Sequence, residues 1–225
     1  LLADVPEVKS YVRTHPMYGG AVVTFKRETG DPTTFHEEHI QWVDSTYLDM
    51  FTHVSIQGDL NTALDNPNSI VLTKKTADRY FHKGEDPLGK TMKVSGGWSD
   101  GDYQVTAILE NVPENSHFTF DFLLPTHNLL RNGQYTNDDG WGWNNFITYV
   151  QLHPLTDVKK VEERFPAFIE KYQGKNLAES NSKNVLSLQP IRNIHITPGM
   201  EYESSQTVSM GTIYFFIIIS IFILA

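Results

Sequence analysis

Hydrophobic and polar positions alternate in short runs along most of the chain, which is typical of strands separated by turns. Residues 21–26 read AVVTFK and are followed by a Thr-Gly-Asp-Pro turn, so a second strand at 33–43 is predicted to form a hairpin with them. The strictest alternation runs from His117 to Leu124, where every second residue is Phe or Leu, and this predicts a half-buried strand. The other predicted strands are residues 69–72, 91–94, 103–110, 145–152, 185–189 and 191–196.

Helical spacing appears between these strands. The predicted helices cover residues 2–12, 47–51, 73–81 and 157–172. Asp44, Thr73 and Thr156 are the expected N-caps, Pro166 is expected to kink or split the last helix, and Gly174 is expected to end it. Hairpins and strand–helix–strand units are mixed, which predicts an α+β fold.

The last segment, Ile213 to Ala225, reads IYFFIIISIFILA and carries no charge. Thirteen such residues make a helix of about 20 Å, whereas a bilayer needs about 20 residues. The run of isoleucines with Tyr214 at its polar edge predicts the first half of a transmembrane helix, and the alternative is a buried helix of the core. The chain starts without Met or signal sequence, so we expect a segment of a longer protein.

Composition narrows the possible functions. The 225 residues carry a net charge of −9, which argues against nucleic acid or an anionic lipid surface as a partner. There is no Cys, and this excludes disulfides, thiolate metal sites and thiol nucleophiles. Aromatic residues make up 12% of the chain, too many for a disordered protein.

Two short clusters suggest metal chemistry at first sight. His36 and His39 frame two glutamates, but their spacing is i, i+3 on a predicted strand, so they are expected on opposite faces as surface residues. Residues 137–140 read Asn-Asp-Asp-Gly without the alternating acids and distal Glu of a calcium loop. We therefore predict no metal site.

Other candidate residues are aromatic or acidic. Trp141 and Trp143, with Tyr135, could stack on a sugar or a partner, although such residues more often pin their own loop. The carboxylates Asp121, Glu110 and Glu114 are close in sequence, but glycoside hydrolysis needs a defined separation across a cleft. The sequence contains no G-x-S-x-G elbow and no phosphate-binding loop. We therefore predict a protein with no catalytic, cofactor-binding or metal-binding residues.

Several motifs in combination resemble one family. Residues 44–64 (DSTYLDMFTHVSIQGDLNTAL), 66–94 with PNSIVLT and DPLGK, and 103–124 with VPENSHFTFDFLL are similar to the periplasmic domains of MacB/FtsX-like ABC transporter permeases. The last motif is close to the form seen in Bacteroidetes homologues. Residues 147–172 and LQPIRNIHI at 188–196 resemble a strand–helix piece and a return strand of the same domain. The resemblance spans roughly residues 40–225 and is loose before them.

The resemblance implies an architecture and partners. The family's domain has two lobes, here expected at residues 1–112 with 185–212 and at residues 113–184, followed by the start of a truncated transmembrane helix at 213–225. The permease is a dimer that works with a cytoplasmic ATP-binding subunit or domain, and sometimes with a periplasmic accessory protein. Flanking helices hold it in the bacterial inner membrane with this domain in the periplasm. The domain relays ATP-driven movement and is not an enzyme.

Two other functions stay open from the residues alone. One is an extracellular ligand- or glycan-binding module that uses the Trp141–Trp143 loop. The other is a metal hydrolase that uses His36 and His39.

Overall fold

The computed structural model describes residues 1–27, 29–96, 100–127, 129, 146–199 and 207–224. The strands are β1 (Val8–Pro16), β2 (Ala21–Phe25), β3 (Thr33–Glu37), β4 (Ile40–Val43), β5 (Ser55–Gln57), β6 (Ser69–Thr73), β7 (Thr91–Ser95), β8 (Gly101–Leu109), β9 (Phe122–Pro125) and β10 (Ile147–Leu152). The helices are α1 (Tyr47–Met50), α2 (Lys74–Tyr80), α3 (Val158–Glu162), α4 (Phe165–Glu179), a 3₁₀-helix (Ile191–Ile196) and α5 (Met210–Leu224).

The ten strands form one mixed sheet in the order β10-β1-β4-β9-β6-β8-β7-β2-β3, with β5 paired to β8 beside this path. The pairs β4–β9 and β6–β8 are parallel, and the other pairs are antiparallel. Antiparallel hairpins combined with strand–helix–strand connections confirm the predicted α+β class.

The centre of the sheet is buried on both faces. In β6, Ile70 and Leu72 pack in one hydrophobic cluster, whereas Val71 between them packs in a second. The same division separates Leu123 from its neighbours Phe122 and Leu124 in β9. A strand covered on both faces has no polar positions, which explains why the sequence SIVLT is continuously apolar or small rather than alternating.

Near the N-terminus the predicted helix over residues 2–12 is wrong. Residues 8–16 form β1, which pairs with β10 on one side and with β4 on the other. Val8 and Val12 are both buried, and two neighbouring strands satisfy the backbone groups that a helix would have satisfied internally.

The alternation at residues 117–124 predicts correctly which side chains are buried, but it predicts the strand only in part. Phe120 and Phe122 are buried and Phe118 is half-buried, as the pattern predicts, but regular pairing begins only at Phe122. The backbone amides of Asp121 and Phe122 both donate to the carbonyl of His39, which fixes the entry into β9.

The C-terminal third departs most from the predictions. Residues 185–189 are not a strand, and 191–196 form a 3₁₀-helix whose first turn is closed by Asn193 N donating to the carbonyl of Pro190 at 2.8 Å. The predicted strands fail because the backbone of this segment bonds to side chains and turns instead of a sheet edge.

The long predicted helix is split near Pro166, as expected, into α3 and α4. Pro166 lies in the first turn of α4, where its missing N–H costs nothing. Two details differ: Asp157 rather than Thr156 caps α3 through a bond from Lys159 N, and α4 continues through Gly174 to Glu179.

The predicted boundary between the two lobes, at residue 113, would divide the strands of one sheet between both lobes. Strands β9 and β10 come from the segment assigned to the second lobe, yet β9 lies between β4 and β6 and β10 pairs with β1. Helices α3 and α4, from the same segment, form a separate small cluster with the N-terminal residues. How the chain divides into two lobes stays a prediction.

The C-terminal helix α5 buries none of its residues. The alternative prediction of a buried core helix is therefore wrong for the chain as described. Within the described ranges, no helix has both the length and the hydropathy that a membrane span requires.

Gly58 occupies a position that no other residue can fill without displacement. Its φ is +88°, and a Cβ there would stand 2.3 Å from the carbonyl oxygen of Thr106. We expect Gly58→Ala to lower the free energy of unfolding by about 2–4 kcal/mol, because left-handed strain and overpacking add. Gly84 is the matched control, since it has the same φ of +88° and open space around it. Urea unfolding that gives equal losses for both alanine variants would contradict the steric part of this prediction.

Candidate coupling site

The structure places the two candidate metal ligands at the surface. His36 is exposed in β3, and His39 is exposed in the short connection to β4. In the residues that the structure describes, no three His, Asp or Glu side chains come together so that they could hold a metal ion. His36 and His39 are therefore surface residues, His36 in the edge strand β3 and His39 just before the inner strand β4.

The other candidate residues are not assembled into a described site. Trp141, Trp143, Tyr135 and residues 137–140 lie outside the described residues. Glu110 and Glu114 are exposed, while Asp121 is buried. Asp121 Oδ1 lies 2.7 Å from the ammonium group of Lys75, so its carboxylate belongs to an ion pair.

Several acidic side chains that are shielded from solvent form ion pairs with basic side chains. The pairs between a shielded carboxylate and a basic side chain are Asp44–Arg13, Glu37–Arg79 and Asp121–Lys75. Each pair joins segments far apart in sequence, so removal of the basic partner would leave a shielded carboxylate without its counter-charge.

A different assembly connects the two outer parts of the chain. Helices α3 and α4 pack against the N-terminal residues in a cluster formed by Val5, Val8, Val161, Phe165 and Phe168. Val5 and Val161 are fully shielded from solvent. We call residues 1–8, α3, α4 and residues 181–188 together the coupling site.

Polar contacts on the outside of this cluster hold the N-terminal segment to α4. Asp4 Oδ1 lies 2.5 Å from Lys171 Nζ, and its Oδ2 accepts a hydrogen bond of 2.6 Å from the phenol of Tyr172. The bonds from Lys171 and Tyr172 lower the pKa of Asp4. Arg164 Nε donates to Glu7 at 3.0 Å. At neutral pH the segment is therefore held by charge as well as by apolar packing.

The same helices hold the segment that leads towards the C-terminus. Glu162 Oε1 accepts a hydrogen bond of 2.8 Å from the backbone amide of Leu188, and Asn184 donates to Gln173 at 2.8 Å. Leu188 packs partly against the cluster of Val5 and Val8. The N-terminal and the returning segments are thus fixed to one helix pair.

The chain runs on from this site into the 3₁₀-helix and then towards α5. Ile194 of the 3₁₀-helix is buried, and the carbonyl of His195 accepts a bond of 2.8 Å from Val208 N, just before α5. A displacement of the residues before α5 would therefore act directly on the 3₁₀-helix.

The coupling site could not be predicted from the sequence, for a physical reason. Arg164 and Glu7 are 157 positions apart, and Tyr172 and Asp4 are 168 positions apart. Local periodicity gives no information on contacts over such distances. Neither the acidic residues Asp4 and Glu7 nor the basic residues Arg164 and Lys171 belong to a local pattern that would indicate these pairs.

Comparison with known families gives one match over most of the chain. Residues 1–168 match the profile of the MacB-like periplasmic core domain. This match includes the first 40 residues, for which the motifs quoted above give only a loose resemblance. No curated protein matches the sequence.

Solved structures show the same fold. A domain of a Porphyromonas gingivalis protein assigned as a permease superposes with a TM-score of 0.58 at 22% identity, covering 76% of this chain and 73% of that one. The periplasmic region of MacB from Actinobacillus actinomycetemcomitans superposes with a TM-score of 0.52 at 13% identity, covering 81% and 84%. The first of these organisms agrees with the Bacteroidetes form of the motifs.

Proposed function

Since the chain belongs to the family of MacB-like periplasmic core domains, we propose that it is the extracytoplasmic part of an ABC transporter permease that relays ATP-driven movement to the periplasm. The movement would serve export, efflux or release of a lipoprotein-type cargo. The domain itself carries out no reaction.

The observation that carries the proposal is the coupling site. A relay needs an element that responds to displacement at one end and acts at another. Here the N-terminal segment and the segment returning to α5 are fixed to α3 and α4, and β1 continues from the N-terminal segment into the sheet. Movement of either segment would be passed to the same two helices and to the sheet edge.

Helix α5 supports a place at the membrane. It has no charged residue, and its side chains from Tyr214 to Leu224 are exposed on all sides. An apolar helix of this kind needs protein or lipid around it. We propose that α5 begins a transmembrane helix of the bacterial inner membrane and that the sheet lies in the periplasm. The partners would be a cytoplasmic ATP-binding subunit or domain, a second permease copy and possible accessory proteins in the periplasm.

The state of the shielded acids supports a role without catalysis. A general acid or base needs an ionisable group that is available to a substrate. Asp44, Glu37 and Asp121 each meet a basic side chain within 3 Å. Their arrangement is that of structural ion pairs.

The proposal predicts a separation of ATP hydrolysis from transport. In the full-length protein with its ATP-binding partner, the double variant Asp4→Lys/Glu7→Lys is expected to lower the transport-linked activity by about two- to thirtyfold, because altered coupling networks change coupling by about 0.5–2 kcal/mol. ATP hydrolysis is expected to change little. The reversed charges repel Lys171 and Arg164, which now hold the N-terminal segment.

Rescue separates coupling from general damage. Adding Lys171→Glu and Arg164→Glu restores both pairs in reversed order and is expected to restore transport. Lys74→Glu is the control, because it breaks an exposed pair with Asp78 inside α2, away from the coupling site. Unchanged transport in the double variant, or its failure to recover in the quadruple variant, would refute the role of the site.

A further inference from the structure

A groove lies between α4 and the segment that follows it. Its volume is about 820 Å³, within the range of about 300–1,000 Å³ that is typical of sites for small ligands. One wall includes a row of α4 residues spaced four apart, which places them on one face of the helix. The row consists of Pro166, Glu170, Gly174 and Ala178, and the chain at 181–186 forms the other wall.

Apolar side chains line both walls of the groove. Phe165 and Ile169 line it from α4 and are buried. On the other wall, Val185 and Leu186 line it with 73% and 40% of their surface exposed. Removing exposed apolar surface from water is favourable. A ligand with an apolar body would therefore gain free energy of binding by covering these two side chains.

Gly174 leaves room for a carboxylate beside the groove. Glycine inside a helix is less favourable than alanine, so a packing or binding reason is expected for it. A Cβ on Gly174 would lie 2.6 Å from Glu170 Oε1 and 2.7 Å from Glu170 Cδ. The carboxylate of Glu170 therefore occupies the space that the missing side chain leaves, at the wall of the groove.

The groove has an excess of negative charge. Among the described residues, no basic side chain comes within ion-pair distance of Glu170. The second carboxylate that lines the groove, Glu162, accepts a hydrogen bond from Leu188 N at 2.8 Å. The basic residue among the described lining residues is Lys183, which is exposed on the opposite wall. Two carboxylates against one ammonium group favour a cationic ligand.

We propose that the groove between α4 and residues 181–186 binds an organic cation with an apolar body. The cationic group lies beside the carboxylate of Glu170, and the body covers Val185 and Leu186. The regulatory consequence of this inference rests on the proposed function, because the groove belongs to the coupling site. Binding itself is a property of this chain and needs no transport.

A ligand in the groove would hold the chain at 181–186 on α4. This wall is fixed by Asn184 donating to Gln173 at 2.8 Å and by Ser182 N donating to the carbonyl of Leu177 at 2.9 Å. Because both walls are needed to form the groove, the ligand binds the docked arrangement and shifts the equilibrium towards it. It would therefore stiffen the coupling site and act on the relay as a regulator.

Methyl NMR on the complete chain, in nanodiscs of neutral lipid, tests the site. The probe is 1-naphthylmethylammonium, compared with the neutral 1-naphthylmethanol and the anionic 1-naphthoate. We expect the ammonium probe to shift the methyl signals of Val185 and Leu186 saturably, with a Kd of about 1 mM or below, which a ligand of this size can reach. The alcohol is expected to bind more weakly, and the carboxylate most weakly.

Variants separate charge from shape. Glu170→Gln is expected to weaken binding of the ammonium probe about two- to fivefold, the range for an ion pair with an exposed carboxylate, and to leave binding of the alcohol unchanged. Glu163→Gln is the matched control, because Glu163 is an exposed glutamate that is not among the described lining residues. It is expected to change neither affinity. Gly174→Leu fills the groove and is expected to weaken binding of all three probes.

Two results would overturn the proposal. One is the absence of saturable shifts at Val185 and Leu186, and the other is an affinity for the ammonium probe that Glu170→Gln leaves unchanged. Glu170→Gln alters an exposed side chain and does not threaten the fold, so the test does not depend on Gly174→Leu. Since no ATP-binding partner is present, either failure would leave the charge-reversal test of the relay standing.

Discussion

Replacing Phe122 by alanine is expected to lower the free energy of unfolding by about 3–5 kcal/mol. Phe122 is fully buried in β9, which lies between the parallel strand β4 and the antiparallel strand β6. Its ring contacts the ring of Tyr80 from α2 edge-on, at 6.1 Å between centroids. The cavity would open in the middle of the sheet, where backbone pairing on both sides prevents the strands from closing around it.

Urea unfolding followed by circular dichroism measures this loss. Phe35→Ala is the comparison, because Phe35 lies in the edge strand β3 with 40% of its surface exposed. It is expected to cost less than half as much as Phe122→Ala. Similar losses in the two variants would show that β9 does not carry the core as the structure indicates.

The second large effect is expected at Asp44. Its carboxylate accepts from Nε and Nη2 of Arg13, both at 2.9 Å, from the amide of Arg13 and from the hydroxyl of Thr126 at 2.6 Å. One side chain thus joins β1, the end of β4 and the residue after β9. Asp44→Ala is expected to cost about 2–4 kcal/mol, below the full range for a buried pair because one third of the Arg13 side chain is exposed.

Asp78→Ala is the control for Asp44. Asp78 also pairs with a basic residue, Lys74, at 2.7 Å, but both side chains are at least half exposed. Its loss is expected to cost less than about 1 kcal/mol. Asp44→Asn keeps the shape of the side chain and at most two acceptor positions. Its cost in free energy of unfolding is therefore expected to lie between the costs of Asp44→Ala and Asp78→Ala. An alanine variant at Asp44 that unfolds like native protein would contradict the assigned role of this carboxylate.

The parts of the fold that the sequence predicted are those set by local patterns. β2, β6 and β8 follow from their β-branched content and flanking turns, and α2 starts after Thr73 as expected. The resemblance also identified the family, which the match over residues 1–168 confirms. These features depend on residues within one or two turns of each other.

The features that could not be predicted from the sequence depend on residues that are far apart along the chain. Residues 8–16 become a strand because β4 and β10 border them, whereas residues 191–196 pair with no strand in the described part of the chain and form a 3₁₀-helix. The coupling site has the same origin, since the acid–base pairs from Asp4 and Glu7 to α4 close only in three dimensions. Conversely, the surface position of His36 and His39 was predictable, because i, i+3 spacing on extended chain separates their side chains.

The strand order has a consequence for how the protein acquires its shape. Ile40 in β4 pairs with Phe122 in β9, and Val8 in β1 pairs with Leu152 in β10. During synthesis, β9 and β10 are therefore made much later than the strands β4 and β1 with which they pair. Loop closure over such lengths slows folding, and strands that wait for partners can join the wrong ones. We therefore expect the newly made chain to need protection from aggregation until residue 152 is available, and a nascent chain ending before it to remain sensitive to protease.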